Sequence, residues 1–331
     1  MESNPDGKPG ICGFCQEPDI RDLFECVDTR GKSWKWAVCD SCGARSLVPR
    51  PSDADLALAY DSGYYGEAET KFVGIGERFI EACRKHRAKR MSRMLKNGSR
   101  ILDLGCGNGG FLAALGELGI FSLHGVEIEG GSASRALGRK GMEIKIGQLE
   151  PDDFSPESLD LVTLFHVFEH LTAPKKTLAM IHRAMHSDSR LVMSFPNIDS
   201  NQARWFEGHW LHLDPPRLLF LLPGAVFEKE LDSLGFRVIS KRFFSVEQNP
   251  FGLIQSLLNF FGFPRDLLFE RLKGNFGYAA SHGKLSILFQ KAFCGLCLGP
   301  AILIDLFESY FGRSATVEYT LMKKSVNHDK K

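Results

Sequence analysis

The chain has almost no net charge: 41 Lys and Arg stand against 40 Asp and Glu in 331 residues, a formal balance of +1. That excludes a globally basic nucleic-acid binder and leaves only a local patch open. Proline is modest at 15, and repeats and low-complexity tracts are missing. Disordered, collagen-like and coiled-coil classes are thereby set aside. Met1–Gly10 is polar, so no signal peptide is expected there. The longest uncharged apolar runs, Ala292–Ile304 and Leu218–Phe227, fall short of the roughly 18–20 residues of a membrane span. The default expectation is a cytoplasmic protein. In that compartment nine cysteines read as metal ligands or buried thiols rather than disulfides.

What is present is a change of pattern along the chain. The first fifty residues hold four cysteines and two strand-like pieces, Asp22–Asp28 and Ser33–Val38. They read as a small separate module at residues 8–50. A connector follows at 51–98, with a short helix at Asp53–Tyr60 behind Ser52 as N-cap. It continues through an aromatic loop, Tyr60–Gly66, to a basic helix, Gly76–Lys96. From 99 to 247 strand and helix patterns alternate. Strands are expected at Arg100–Leu104, Leu123–Glu127, Glu143–Ile146, Leu159–Val167, Arg190–Phe195 and Phe236–Phe243. Helices are expected at Gly109–Leu118, Ser132–Lys140, Pro174–Met185 and Ala225–Leu234. This alternation predicts an α/β domain: a doubly wound, mostly parallel seven-stranded sheet, with Thr316–Met322, within 314–324, as its last strand. Asn197–Phe220 is read as a loop, and residues 248–313 as an apolar helical insertion.

The cysteines form two matched pairs, Cys12-x-x-Cys15 and Cys39-x-x-Cys42, with 23 residues between the pairs. Each Cys-x-x-Cys turn presents two thiolates, and two turns close a tetrahedron around Zn²⁺. Four ligands leave no open position, so the zinc is expected to be structural; four buried free thiols are the plain alternative. Cys294-x-x-Cys297 has no second pair and reads as packing.

Asp103-Leu104-Gly105-Cys106-Gly107-Asn108-Gly109-Gly110 follows a strand and opens a helix. Glycines there let backbone turn sharply and approach a ligand. The same letters fit a dinucleotide fingerprint, a weak signal by itself. Asp103, two residues before Gly105, would repel a pyrophosphate and attract a cationic ligand. S-adenosylmethionine, with its ammonium and sulfonium, suits it. Glu127 ends the next strand and is placed for two ribose hydroxyls.

Asp103–Gly109, then Gly125-Val126-Glu127, then Leu159–Leu171 with its His166-Val167-Phe168-Glu169-His170 run, resemble a class I S-adenosylmethionine-dependent methyltransferase. The subgroup is like the ubiquinone and menaquinone enzymes, and the resemblance covers about residues 55–245. The cysteine module resembles ribbons that precede bacterial methyltransferases acting on sugars and envelope precursors. The resemblance implies Asp103, Gly105, Gly107, Gly109 and Glu127 at the cofactor, Gln148 and Leu149 by the adenine, and Phe165 by the methionine portion. Tyr64 and Tyr65 would cover it from the connector. It implies His166, Glu169, His170 and His212 as candidates for acid–base work. A lid at Trp210, Asp214, Pro216 and Arg217 is implied as well, with Arg217 able to hold an acceptor phosphate or carboxylate. A metal role for His166 and Glu169 is in question because related enzymes carry Glu where His166 stands. His209 and His212 are the histidines that could replace a base missing at Leu218.

The acceptor is expected to be a small molecule, a sugar or a lipid-linked envelope precursor. An RNA methyltransferase and a non-catalytic scaffold are the rivals. The near balance of charge on the ribbon argues against RNA, and the intact glycine loop argues against a scaffold. Twelve of the 26 Phe lie between Phe243 and Phe311. Residues 248–312 are therefore either a lid packed on the sheet or a peripheral contact with the inner face of the membrane.

Overall fold

The computed structural model describes residues 10–60 and 75–324. The aromatic loop with Tyr64 and Tyr65 lies outside them. The chain opens with β1 (Ile20–Val27), β2 (Ser33–Cys39) and β3 (Arg45–Val48), then α1 (Asp53–Ala59) and α2 (Ile75–Ser92). The alternating part runs β4 (Arg100–Leu104), α3 (Gly110–Gly116), β5 (Ser122–Glu127), α4 (Gly131–Leu137), β6 (Glu143–Ile146), β7 (Leu159–Phe165), α5 (Pro174–Ala184) and β8 (Met185–Pro196). It continues with α6 (Asn201–Phe206), β9 (Phe220–Leu221), α7 (Gly224–Ser233) and β10 (Phe236–Arg242). Four helices follow, α8 (Asn249–Phe260), α9 (Leu267–Leu272), α10 (Phe276–Ala280) and α11 (Lys284–Tyr310), and β11 (Thr316–Lys323) ends the order.

Seven strands form the main sheet in the order β10-β11-β8-β7-β4-β5-β6. β11 is antiparallel to both neighbours, and the β8-β7-β4-β5-β6 pairs are parallel. The central strands are near-continuous apolar runs because helices cover both faces. In β4, Ile101 through Leu104 are buried, and in β7 only Asp160 and Phe165 are not. α5 shows why a helix covers this sheet: Thr177, Leu178, Ile181 and Ala184 fall on one buried stripe behind Pro174. α1 is fixed by a capping box between Ser52 and Asp55.

The cysteine module is not a packing unit of its own. Its sheet has the order β1-β2-β3-β9, so a two-residue strand from the loop after β8 completes it. Cys12, Phe14, Cys39 and Ala44 share one apolar cluster with Leu164, Phe168, Phe195 and Phe220. Trp34 and Trp36 pack in a second cluster with Trp210, Leu213 and Leu218. The stretch read as a plain loop, Asn197–Phe220, holds α6, capped by Ser200, and a short turn of helix at Glu207–His209.

The C-terminal insertion also departs from expectation. Lys291 and Asp305 bound the apolar run Ala292–Ile304 in sequence, yet the helix continues through both. The 27-residue α11 is long and apolar enough to cross a membrane, and most of its apolar stretch is exposed.

Candidate active site and metal cluster

The glycine loop leaves β4 at the carboxyl edge of the sheet, where ligands of such folds bind. The amides of Gly105 and Cys106 both donate to the Val126 carbonyl, at 2.8 and 3.2 Å. Gly105 has φ +73°, and a Cβ there would lie 2.2 Å from Val167 Cγ2. The loop can press on the segment after β7 only as glycine. Gly107, at φ +57°, meets nothing within 4 Å on its Cβ side, so the loop presents open backbone there, and Gly109 then caps α3. Glu127 ties the loop to β5: Oε2 accepts from the Gly107 amide at 2.6 Å and Oε1 from the Ile128 amide at 3.2 Å. The Gly147 amide donates to the Glu127 carbonyl at 2.8 Å and brings exposed Gln148 beside it. Leu149 instead points into the main core.

Asp103 is buried and accepts from Thr163 Oγ1 at 2.6 Å. Burial pushes its carboxyl up to about 7, with Thr163 and the Arg87 guanidinium pulling the other way. Arg87 lies 4.5 Å over the Phe165 ring and pairs with Glu247 at 2.6 Å. Sequence reasoning missed Arg87, whose helix reads as merely basic and whose partner is 160 residues away.

Beyond Phe165 the chain turns sharply. His166 takes φ +57° while its amide still donates to the Ser194 carbonyl at 2.8 Å. Glu169 sits in a short turn, Phe168–His170, ahead of α5, which begins at Pro174. Phe168 anchors that turn, its ring 5.3 Å from those of both Phe220 and Phe227. Glu169 is thereby held in the interior, Oε1 3.6 Å from His166 Nδ1 and Oε2 with no partner. His170 serves the loop: its Nδ1 lies 2.7 Å from the Arg217 carbonyl, the distance of an N–H donating to it.

Arg217 is buried and engaged rather than open to an acceptor anion. Its Nε donates to Asp214 Oδ2 at 2.8 Å, Nη2 to Asp214 Oδ1, and Nη1 to the Ala59 carbonyl at 2.8 Å. Burial would raise the Asp214 carboxyl, but the Arg217 guanidinium outweighs it and holds that carboxyl far below the usual range. Arg217 thus locks the lid to α1.

His212 lies against α8. A Cβ at Gly252 would stand 2.6 Å from His212 Nε2 and 3.5 Å from Gln202 Oε1. Both of those atoms are buried and unpartnered. Burial, helped by His166, pushes the His212 imidazole down to about 3, so the ring is neutral. The Trp210 ring packs 5.3 Å away, whereas His209 is exposed and meets Phe260. Gln202 had no signal in the sequence, since its segment reads as loop. His166 and Glu169 come together, His212 is near enough for His166 to act on it electrostatically, and His170 is tied to the Arg217 carbonyl.

Cys12, Cys15, Cys39 and Cys42 converge, all four Sγ atoms lying within 4.8 Å of one another. Cys12–Cys42 and Cys15–Cys39 are 3.7 and 3.5 Å apart. Tetrahedral zinc with Zn–S of about 2.3 Å requires S···S edges of about 3.8 Å, so the donor set fits. The amides of Phe14 and Cys15 point at Cys12 Sγ, at 3.4 and 3.5 Å.

Among solved structures of similar fold is a putative sarcosine dimethylglycine methyltransferase from Galdieria sulphuraria. It is 15% identical, with a TM-score of 0.48 over 82% of this chain and 99% of that one. A second is an S-adenosylmethionine-dependent methyltransferase from Archaeoglobus fulgidus, 18% identical, TM-score 0.44, over 73% and 94%. A third is phosphoethanolamine N-methyltransferase 2 of Haemonchus contortus in complex with S-adenosyl-L-methionine, 16% identical, TM-score 0.45, over 84% and 59%. No curated protein matches the chain. A family model described as a methyltransferase domain matches residues 76–241, half of the chain. With the glycine loop, Glu127 and the seven-stranded sheet in that same span, the chain belongs to the class I S-adenosylmethionine-dependent methyltransferases.

Proposed function

We propose that this protein transfers a methyl group from S-adenosylmethionine to a hydroxyl of a small polar acceptor, a sugar or a lipid-linked envelope precursor. The observation that carries the reading is a set of buried, unpartnered polar atoms: Glu169 Oε2, next to His166 at the end of β7, and Gln202 Oε1 and His212 Nε2, which meet at Gly252. Buried acceptors without donors are costly. Glu169 Oε2 and Gln202 Oε1 ask for donors and neutral His212 can donate or accept at Nε2, and the hydroxyls of a polyhydroxylated ring do both. An apolar wall with a few convergent polar groups is the usual make-up of a small-molecule site.

When bound, S-adenosylmethionine supplies a methyl carbon on a cationic sulfur. The chain's own residues do the rest. Gly105, Gly107 and Gly109 shape the open loop, and Glu127 and Asp103 would hold the cofactor's ribose hydroxyls and ammonium. Neutral His212 and Gln202 orient acceptor hydroxyls. The Glu169 carboxylate receives the proton that leaves the attacking hydroxyl. His212, pushed down to about 3, is a weak base near neutrality and orients rather than deprotonates. The cysteine cluster holds a structural zinc that keeps β3 and β9 paired beneath the lid.

Calorimetry tests the cofactor, with binding of S-adenosylmethionine and S-adenosylhomocysteine expected and none of NAD. Methyl-labelled cofactor with panels of nucleotide sugars and lipid-linked glycans tests the acceptor. Tight NAD binding, or no S-adenosylmethionine binding by folded protein, overturns the reading.

A further inference from the structure

α11 is inside out. Its buried residues are Gln290, Ala301, Asp305 and Glu308. Its exposed side chains include Leu285, Leu288, Leu296, Leu303, Phe307 and Tyr310, at 82, 64, 79, 68, 69 and 86% exposure. Their spacing follows the three-to-four-residue period, so the apolar stripe runs nearly the whole helix, about 38 Å at 1.5 Å per residue. A surface helix in water shows the opposite arrangement.

The layer beneath joins an apolar seam, where Ala301, Phe293 and Cys297 pack on Ile254 and Leu258 of α8, to polar pairs at its end. On α8, Asn249, Gln255, Ser256 and Asn259 are buried. Asn249 Nδ2 donates to Asp305 Oδ1 at 2.8 Å, and Asn201 Nδ2 to Glu308 Oε1 at 2.9 Å. Polar groups paired inward with apolar groups outward is the pattern of helices that meet lipid.

Charge identifies the occupant. All four acids between residues 249 and 313, Asp266, Glu270, Asp305 and Glu308, are buried. The exposed charges of that segment, Lys284, Lys291 and Arg313, are all basic. A second copy docked through this face would bring like charges together, whereas an anionic lipid surface complements them.

Chain geometry sets the orientation. Before α11, Arg265 donates to the Gly208 and Leu213 carbonyls of the lid at 2.6 and 2.9 Å. After it, the chain enters β11 of the main sheet. Both ends are tied to one body, so the helix lies along a surface rather than threading through it.

We propose that α11 seats this protein in the plane of one membrane leaflet rich in anionic lipid, with its Leu/Phe stripe in the acyl boundary and Lys284 and Lys291 at the headgroups.

The test is co-sedimentation of the full chain with phosphatidylcholine vesicles with and without phosphatidylglycerol, alongside light scattering for oligomeric state. It reads no activity, so it stands or falls apart from the catalytic proposal. Binding is expected to the mixed vesicles. It should weaken at least about tenfold in the double variant Leu296→Glu, Phe307→Glu, and about fivefold for each of Lys284→Glu and Lys291→Glu. These positions are exposed, so an unchanged thermal midpoint should confirm folding. Equal vesicle binding by the double variant, no vesicle binding by the wild type, or a dimer that the double variant dissolves without wild-type vesicle binding would each overturn the proposal.

Discussion

Gly208→Ala isolates the contact on which the lid depends. Gly208 follows Glu207, which holds φ +42°, and it is wedged between two elements far away in sequence. On one side, a Cβ at residue 208 would lie 2.0 Å from the Glu25 carbonyl oxygen of β1, where Cβ contacts under 3.0 Å essentially never occur. On the other, Arg265 donates to the Gly208 carbonyl at 2.6 Å. The obstruction is backbone, so the turn must retreat by about 1 Å, toward the arginine or away from it. Overpacking of this kind costs about 1–3 kcal/mol, and a strained charged hydrogen bond adds up to about 1.5–3. Because the turn relieves one strain at the expense of the other, the two do not add in full; a total of about 2–4 kcal/mol lowers the midpoint by roughly 4–16 °C at about 2–4 °C per kcal/mol for a large chain. Differential scanning fluorimetry reads the midpoint. Metal content and S-adenosylmethionine affinity should be unchanged, because both sites lie elsewhere, and acceptor turnover should fall. Gly283→Ala is the control: its Cβ meets nothing within 4 Å, so a change within about 0.5 kcal/mol is expected. If Gly208→Ala melts with the wild type and turns over normally, the lid is not seated on β1.

Elemental analysis should find about one zinc per chain, and Cys39→Ser should lose it together with the β3–β9 pairing while S-adenosylmethionine binding persists. Glu127→Ala should weaken S-adenosylmethionine binding by about 1.5–3 kcal/mol by calorimetry, the range for lost bonds to a charged group. Because the folded Asp103 carboxyl is raised from 3.8 to about 7, it favours the fold most in acid, and that contribution is lost as pH rises from the ordinary value to about 7. Cofactor affinity has the opposite trend, falling as pH drops through 7 and the carboxylate is protonated; titrations across that window should show this, and Asp103→Asn should flatten the profile. His212→Ala and Glu169→Gln should lower turnover with cofactor affinity kept within about twofold; unchanged turnover in both would leave alignment alone as the mechanism.

Where local pattern decides structure, the sequence is readable. Arg100–Leu104 and Glu143–Ile146 are strands with the expected ends, since a short β-branched or alternating run between helical periods has few alternatives in a parallel sheet. The four-cysteine spacing and Glu127 at a strand end are legible for the same reason. What fails is pairing decided at long range. β9 is a strand only because Leu221 meets Arg45, and nothing in Phe220–Leu221 announces that partner. Gln202 meets His212 and α8 only because α6 forms in a Trp- and Pro-rich stretch and α8 brings Gly252 against it. Arg217 looked like an anion ligand because residue type does not disclose that Asp214 and the Ala59 carbonyl already hold it. The apolar content of α11 is plain in composition, but its inversion depends on which side its acids turn to, and only packing fixes that.

These long-range contacts give the ribbon and the C-terminal insertion one shared task. The lid from Gly208 to Leu221 touches the ribbon through Glu25, β3 and the Phe14–Phe220 ring pair at 5.5 Å. It touches the insertion through Arg265 and through Ser256 Oγ, which accepts from the Leu211 amide at 2.9 Å. Among the described residues, none of these contacts involves the glycine loop. On the proposed function, a zinc held by the four cysteines would act by positioning the lid, which accords with the near balance of acids and bases on the ribbon's strands. An α11 seated on lipid would hold the same lid at a fixed height above the headgroups. On that reading both additions fix the acceptor side, and the sheet edge at β4 and β5 is left to the cofactor.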